Sequence, residues 1–162
     1  MEDVPFSLVN NFPNLIISRT FSKAYGLAGL RVGFSVTSSS LADYLNRVRQ
    51  PFNVNFIALS AAEVALDDTE HLEKCLKLNK QEKERFYKFF ESHQYHFIKS
   101  FANFISFDCK SSSNKVFNSL LLKGVITRSM EIYKMPNHLR VTIGLPEENS
   151  VFMESLTSLN KS

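Results

Sequence analysis

Two strand-like runs, NLIISRTF at 14–21 and LRVGFSV at 30–36, are separated by only the eight residues SKAYGLAG, a spacing that limits the fold more than any other feature. A helical crossover between parallel neighbours needs roughly a dozen residues. The two runs therefore either lie antiparallel or are joined by a loop kept for function. Both are short, apolar and β-branched, and Asn, Pro, Ser and Gly bound them. Further candidate strands follow at 102–108 (ANFISFD), 124–128 (GVITR) and 139–143 (LRVTI).

Helical patterns fill the intervals. Leu41, Leu45 and Val48 recur at helical spacing until Pro51 stops them, and PFNVN is an irregular connector in which Asn53 and Asn55 fix the turn. The Ala- and Leu-rich stretch 56–66 reads as a buried helix ended by Asp67 and Asp68, after which Thr69 opens a longer helix over about 70–91. Its middle, Lys77 to Arg85, is polar on nearly every face apart from Leu78, which suits a helix bridging two bodies. Glu70 with Lys74, Glu73 with Lys77 and Glu84 with Lys88 stand in the favourable i,i+4 order. FYKFF at 86–90 is the end that packs on the second body. A helix at 114–122 and a last one over about 147–159 complete a βαββα unit. Pro146 starts the last helix, which faces inward through Val151, Phe152, Leu156 and Leu159. The expected class is α/β, in two domains, 1–69 and 70–162.

Composition narrows the function. With 162 residues, 44% of them apolar, the chain is long enough for one core or two small ones and is no disordered tail. The formal net charge is only +3, and the densest basic stretch, Lys74 to Lys88, contains Glu82 and Glu84, so no nucleic-acid arm is expected. The longest uncharged run, Val4 to Ser18, has 15 residues and two prolines, short of the ~20 apolar residues of a spanning helix. Glu2 and Asp3 are unlike the basic start of a signal peptide. Cys75 and Cys109 form neither a metal spacing nor a disulfide framework, which places the chain in a reducing, cytoplasmic setting. His71, His93, His96 and His138 show no ligand spacing, and no metal is expected.

Chemistry concentrates in Ser18 to Phe34, SRTFSKAYGLAGLRVGF. Gly26, Gly29 and Gly33 have the spacing of neither a P-loop nor a dinucleotide fingerprint. Lys23 lies just past the carboxyl end of a strand, where α/β sheets bind ligands and where partial desolvation favours the neutral amine that Schiff-base chemistry requires. Thr20 and Ser22 can donate to phosphate oxygens, and Arg31 can clamp a phosphate bidentately. Gly26 and Gly29 let the backbone approach a planar ligand, and Tyr25 reads as a wall residue beside it. By itself a lysine in such a loop is usually a solvated surface residue, and Arg31 and Arg140 are equally members of structural ion pairs.

RTFSKAYGLAGLRVG resembles the cofactor-lysine segment of the class I/II aminotransferases that use pyridoxal 5′-phosphate, most of all the histidinol-phosphate group within them. The resemblance continues in order through RQPFNVN, AAEVALDD, ANFISFD, GVITR and HLRVTIG followed by EEN, nearly all of residues 10–160. It departs at GLPEEN, where Leu145 and Pro146 replace the small polar residue usual after the glycine. What it implies is an aspartate aminotransferase-like α/β fold, with 1–69 the end of the large domain's sheet and 70–162 the small C-terminal domain with its bridging helix. Lys23 would hold the cofactor and move a proton between it and the substrate α-carbon, with Thr20, Ser22 and Arg31 on the cofactor phosphate. Arg140, with Arg128 beside it, would bind the anionic group of the substrate. The reaction implied moves an amino group from a small-molecule donor to a 2-oxo acid, in histidine biosynthesis, usually in a homodimer. Only 22 residues precede Lys23, and none of Glu2, Asp3, Asn10, Asn11 or Asn14 matches the family's upstream motifs, among them the aspartate that holds the pyridine nitrogen. The expectation is a C-terminal part, inactive alone, belonging to a split enzyme completed by an N-terminal chain, a decaying gene product, or a longer protein. Alternatives are a non-catalytic interaction module and a relative acting on aromatic amino acids.

Overall fold

The structure, a computed structural model, describes residues 5–159. Glu2 and Asp3, read above for the absence of a signal peptide, lie outside these. The chain divides into two compact units, Met1–Cys75 and Leu76–Ser162.

In the first unit the strand runs contract to β1 (Ile17–Thr20) and β2 (Gly33–Val36). They pair antiparallel from Ile17 opposite Val36 to Thr20 opposite Gly33, the first of the two arrangements that the short spacing allows. Gly33 is required here, because a Cβ would stand 2.6 Å from the Arg19 carbonyl oxygen. The Thr37 hydroxyl donates to the Leu15 carbonyl at 2.7 Å and the Ser38 hydroxyl to the Pro13 carbonyl at 3.0 Å, tying the exit of the hairpin to its entrance. Helix α1 (Ser39–Val48) ends before Pro51, and α2 (Phe56–Asp67) starts where Asn55 Oδ1 accepts the Ala58 N–H at 2.8 Å. Asn53 accepts from Arg49 at 3.3 Å, so both asparagines shape the connector as expected.

Helix α2 departs from its sequence reading. Only Ala58 and Ala62 are buried, joining Phe21 and Val32 in a small core, while Phe56 is 80% and Val64 70% exposed. Its apolarity runs all round the helix, yet this unit supplies cover for the alanine stripe alone.

Helix α3 (Thr69–Ser92) begins in the first unit and ends in the second. The second unit's sheet consists of β3 (Phe97–Ile98), β4 (Phe104–Asp108), β5 (Arg128–Ser129) and β6 (His138–Thr142), in the order β3-β4-β6-β5 with every neighbour antiparallel. Alternation sends Ile105, Phe107, Leu139 and Val141 to one face. There they meet Phe86 and Phe90 of α3, Leu120 of α4 (Ser113–Leu121), and Phe152, Met153 and Leu156 of α5 (Pro146–Leu159). Phe86, Phe90 and Phe107 are fully buried, and the Phe90 and Phe107 rings stack at 4.6 Å.

Several expectations change here. Strand β3 was not foreseen, since two residues carry no period. The strand expected at 124–128 begins only at Arg128, because Gly124 (φ 77°) closes α4 and the chain from Val125 to Thr127 is still a connector. Val151 is half-exposed and Met153 takes the inward place. The middle of α3 is not polar all round in effect: Glu82 is buried, accepting from Asn149 Nδ2 at 2.7 Å and from Arg85 at 3.2 Å. Of the three expected helix pairs, Glu70–Lys74 forms at 2.6 Å, and the other two are not among the ion pairs of the described residues.

The end of β6 is held by the same group. The Asn149 side chain accepts the Gly144 N–H at 2.9 Å and donates to the Gly144 carbonyl at 3.0 Å. Glu148 accepts the Leu145 N–H at 2.8 Å, capping α5, and Arg85 donates to the Pro146 carbonyl at 3.0 Å and to Ser150 Oγ at 2.6 Å. GLPEEN is thus a closed turn despite Leu145 and Pro146.

Candidate functional site

The lysine loop is an extension of the β1–β2 hairpin. Beyond the last ladder pair the Phe21 N–H donates to the Val32 carbonyl at 3.2 Å, and Ser22 and Arg31 are the next residues on the two arms. The Leu27 N–H returns to the Phe21 carbonyl at 2.9 Å, and the Gly26 N–H closes a turn on the Lys23 carbonyl at 2.9 Å, with Gly26 at φ 71°. Within this frame Thr20 Oγ1 accepts the Ser22 N–H at 3.1 Å and donates to Ser22 Oγ at 2.9 Å. Lys23 is exposed. Tyr25, half-buried, leans its ring on Phe21 at 4.9 Å and lines an apolar cleft of about 620 Å³ with Leu27, Phe56 and Val64, a wall position as expected.

Arg31 ends the single turn Ala28–Leu30 in the left-handed conformation, φ 55° and ψ 45°, with Nη1 donating to the Ala28 carbonyl at 3.0 Å. One fork of the guanidinium is tethered and its remaining N–H groups face solvent. Thr20, Ser22, Lys23 and Arg31 thus share one hairpin end, offering to a phosphate dianion a guanidinium, the O–H of Ser22 and, once it turns from Ser22 Oγ, that of Thr20, and offering an amine to a carbonyl carbon. This donor set fits a phosphorylated aldehyde.

The two other arginines sit in the second unit. Arg128 on β5 and Arg140 on β6 are register partners, directly opposite on one face of the sheet, the face away from the helices. Arg128 is exposed; Arg140 is half-buried with its guanidinium 4.7 Å from the Phe104 ring centroid. Among the described residues no carboxylate lies within ion-pair distance of either, so the ion-pair reading of Arg140 has no partner here. Like charges directly opposite on neighbouring strands repel, and an anion between them removes the penalty. On the same rung Ser106 of β4 is the register partner of Arg140. Ser106 is 8% exposed and its hydroxyl has no hydrogen-bond partner. A lone serine in a strand carries no motif, and only the register brings it to the arginines.

Elsewhere the chemistry is sparse. Among the described residues no cluster of His, Cys, Asp and Glu has the geometry of a metal site, and no helix is long and apolar enough to cross a membrane. Both cysteines are free thiols, and burial pushes that of Cys109 above its ordinary pKa.

Similarity to known proteins follows the same outline. A family model described as aminotransferase class I and II matches residues 3–156. The histidinol-phosphate aminotransferase 1 of Idiomarina loihiensis is 48% identical over 151 residues, which cover 93% of this chain and 41% of that protein. The chain thus spans about two-fifths of the length of the curated relatives it matches. The histidinol-phosphate aminotransferase of Sinorhizobium meliloti, solved in complex with pyridoxal 5′-phosphate, superposes with a TM-score of 0.79 at 26% identity, over 91% of this chain and 42% of that one. The aspartate aminotransferase of Thermotoga maritima shares the fold, with a TM-score of 0.82 at 20% identity over 93% of this chain and 41% of its own.

Proposed function

Because the chain belongs to the class I and II aminotransferases, we propose that it is the lysine-bearing, C-terminal part of a pyridoxal 5′-phosphate-dependent aminotransferase of the histidinol-phosphate type. In this reading residues 1–69 are the end of the large domain and 70–162 the small domain. The observation that carries it is the hairpin end, where an exposed lysine, two mutually hydrogen-bonded hydroxyls and a tethered arginine stand together.

When bound, the cofactor supplies an aldehyde to carry the amino group and a ring to accept electrons from the substrate α-carbon. The rest falls to the chain. Ser22 donates to the phosphate, Thr20 turns its O–H from Ser22 Oγ to the anion as it binds, and Arg31 adds its free fork, with its position fixed by the bond to Ala28. Lys23 would anchor the aldehyde and, as a free amine, would take the proton from the substrate α-carbon as general base and deliver it to the cofactor C4′ as general acid. Arg140 and Arg128 orient the substrate through its anionic group, a phosphate or carboxylate. A homodimer, or a complementing N-terminal chain, belongs to the same proposal, as does placement in the cytoplasm and in histidine biosynthesis.

The test is chemical. The purified chain is incubated with pyridoxal 5′-phosphate, reduced with borohydride and mapped by peptide mass spectrometry. Label concentrated on Lys23, and lost with Arg31→Gln at the same cofactor concentration, is expected. Label scattered over the lysines in proportion to their exposure would overturn the assignment.

A further inference from the structure

We propose that Ser106 is the third donor of the anion site formed by Arg128 and Arg140, and that its hydroxyl selects a phosphate monoester over a carboxylate. This rests on the assignment of the arginine pair to the substrate's anionic group.

Three residues on three neighbouring strands share one rung: Ser106 opposite Arg140, and Arg140 opposite Arg128. Paired residues of antiparallel strands project from the same face, so the hydroxyl and both guanidinium side chains rise on one side of the sheet. That face is opposite the one carrying Ile105, Phe107, Leu139 and Val141 into the core. Each member of the rung lacks something. The arginines lack an acidic partner among the described residues, and the Ser106 hydroxyl, more than nine-tenths buried, lacks any hydrogen bond. Native structures leave few buried hydroxyls unpaired. One oxyanion supplies all three partners.

The number of donors favours one anion over another. Two guanidinium forks occupy the two oxygens of a carboxylate. A phosphate monoester has a third terminal oxygen, which leaves an acceptor for a hydroxyl at the edge of the pair. Phe104 stands on the same face of β4 and holds the Arg140 guanidinium against its ring, so the fork is set before the anion arrives.

The experiment titrates inorganic phosphate, and separately acetate, into the full chain labelled with ¹⁵N-arginine. The Nε–Hε resonances of Arg128 and Arg140 are assigned from the Arg128→Gln and Arg140→Gln variants and followed individually, which keeps phosphate bound near Arg31 out of the reading. Ser106→Ala is expected to weaken phosphate binding at these two resonances about tenfold, the loss of one hydrogen bond to a charged group. Acetate binding stays as it was, Ser106→Thr restores phosphate, and the melting temperature does not fall because the hydroxyl removed has no protein partner. Unchanged phosphate binding in Ser106→Ala, with binding lost in Arg140→Gln, overturns the role of Ser106 and leaves the arginine site standing. Equal weakening of both anions makes Ser106 a structural residue and overturns the selectivity. If neither anion moves the resonances of the native chain, the arginine assignment fails and this inference with it.

Discussion

Asn149 is the residue on which the second unit's polar interior turns, and replacing it by leucine gives a loss that can be worked out bond by bond. Leucine keeps the branching and the number of heavy atoms and removes the amide, so no large cavity enters the sum. One lost bond is to the buried Glu82 carboxylate, worth about 1.5–3 kcal/mol for a charged partner. Two more, to the N–H and carbonyl of Gly144, are worth about 0.5–1.5 kcal/mol each. Water reaches the half-buried Gly144 and recovers part of its share, while Glu82 keeps its bond from Arg85. The expected cost is about 3 kcal/mol, or a fall of roughly 15 °C in melting temperature for a domain of this size. Circular dichroism of the full chain measures the melt, and hydrogen exchange reads the Gly144 amide, which should lose its protection. A double-mutant cycle with Glu82→Leu should return a coupling of about 1.5 kcal/mol. A cost below about 1 kcal/mol with Gly144 still protected, or a cost unchanged in the Glu82→Leu background, would refute the account.

Two further outcomes follow from particular contacts. Gly33→Ala sets a Cβ against the Arg19 carbonyl, a backbone atom that cannot step aside, and should cost the first unit about 1–3 kcal/mol, seen as earlier proteolysis within residues 17–36. With iodoacetamide at pH 7.5, Cys75 should be alkylated well before Cys109. Because burial raises the Cys109 pKa, its thiolate is scarce at neutral pH and its rate should still be climbing above pH 9, as read by peptide mass spectrometry.

Local chemistry made the lysine loop legible. Ser22 to Arg31 carries its information in residue types within a dozen positions, and the short spacing between the flanking runs already restricted the hairpin. Pro51 marked a helix end by the same kind of rule, whereas Asn55, read only as a turn residue, proves to cap α2. What the sequence concealed depends on partners far away in the chain. Glu82 looks like one more solvated charge on α3 until Asn149, 67 residues on, reaches it. Ser106 becomes notable only through its register with Arg140. The error at α2 is of another kind: an all-round apolar helix reads as buried, but composition cannot say which chain provides the cover.

Arg31 sets an evolutionary tension within the hairpin end. Its left-handed backbone costs a non-glycine residue about 1–2 kcal/mol, which glycine would avoid. Selection for stability alone would therefore favour Arg31→Gly or Arg31→Asn among the first changes. A lineage in which the loop has ceased to hold an anion should drift at this position before it drifts in the Phe86, Phe90 and Phe107 core.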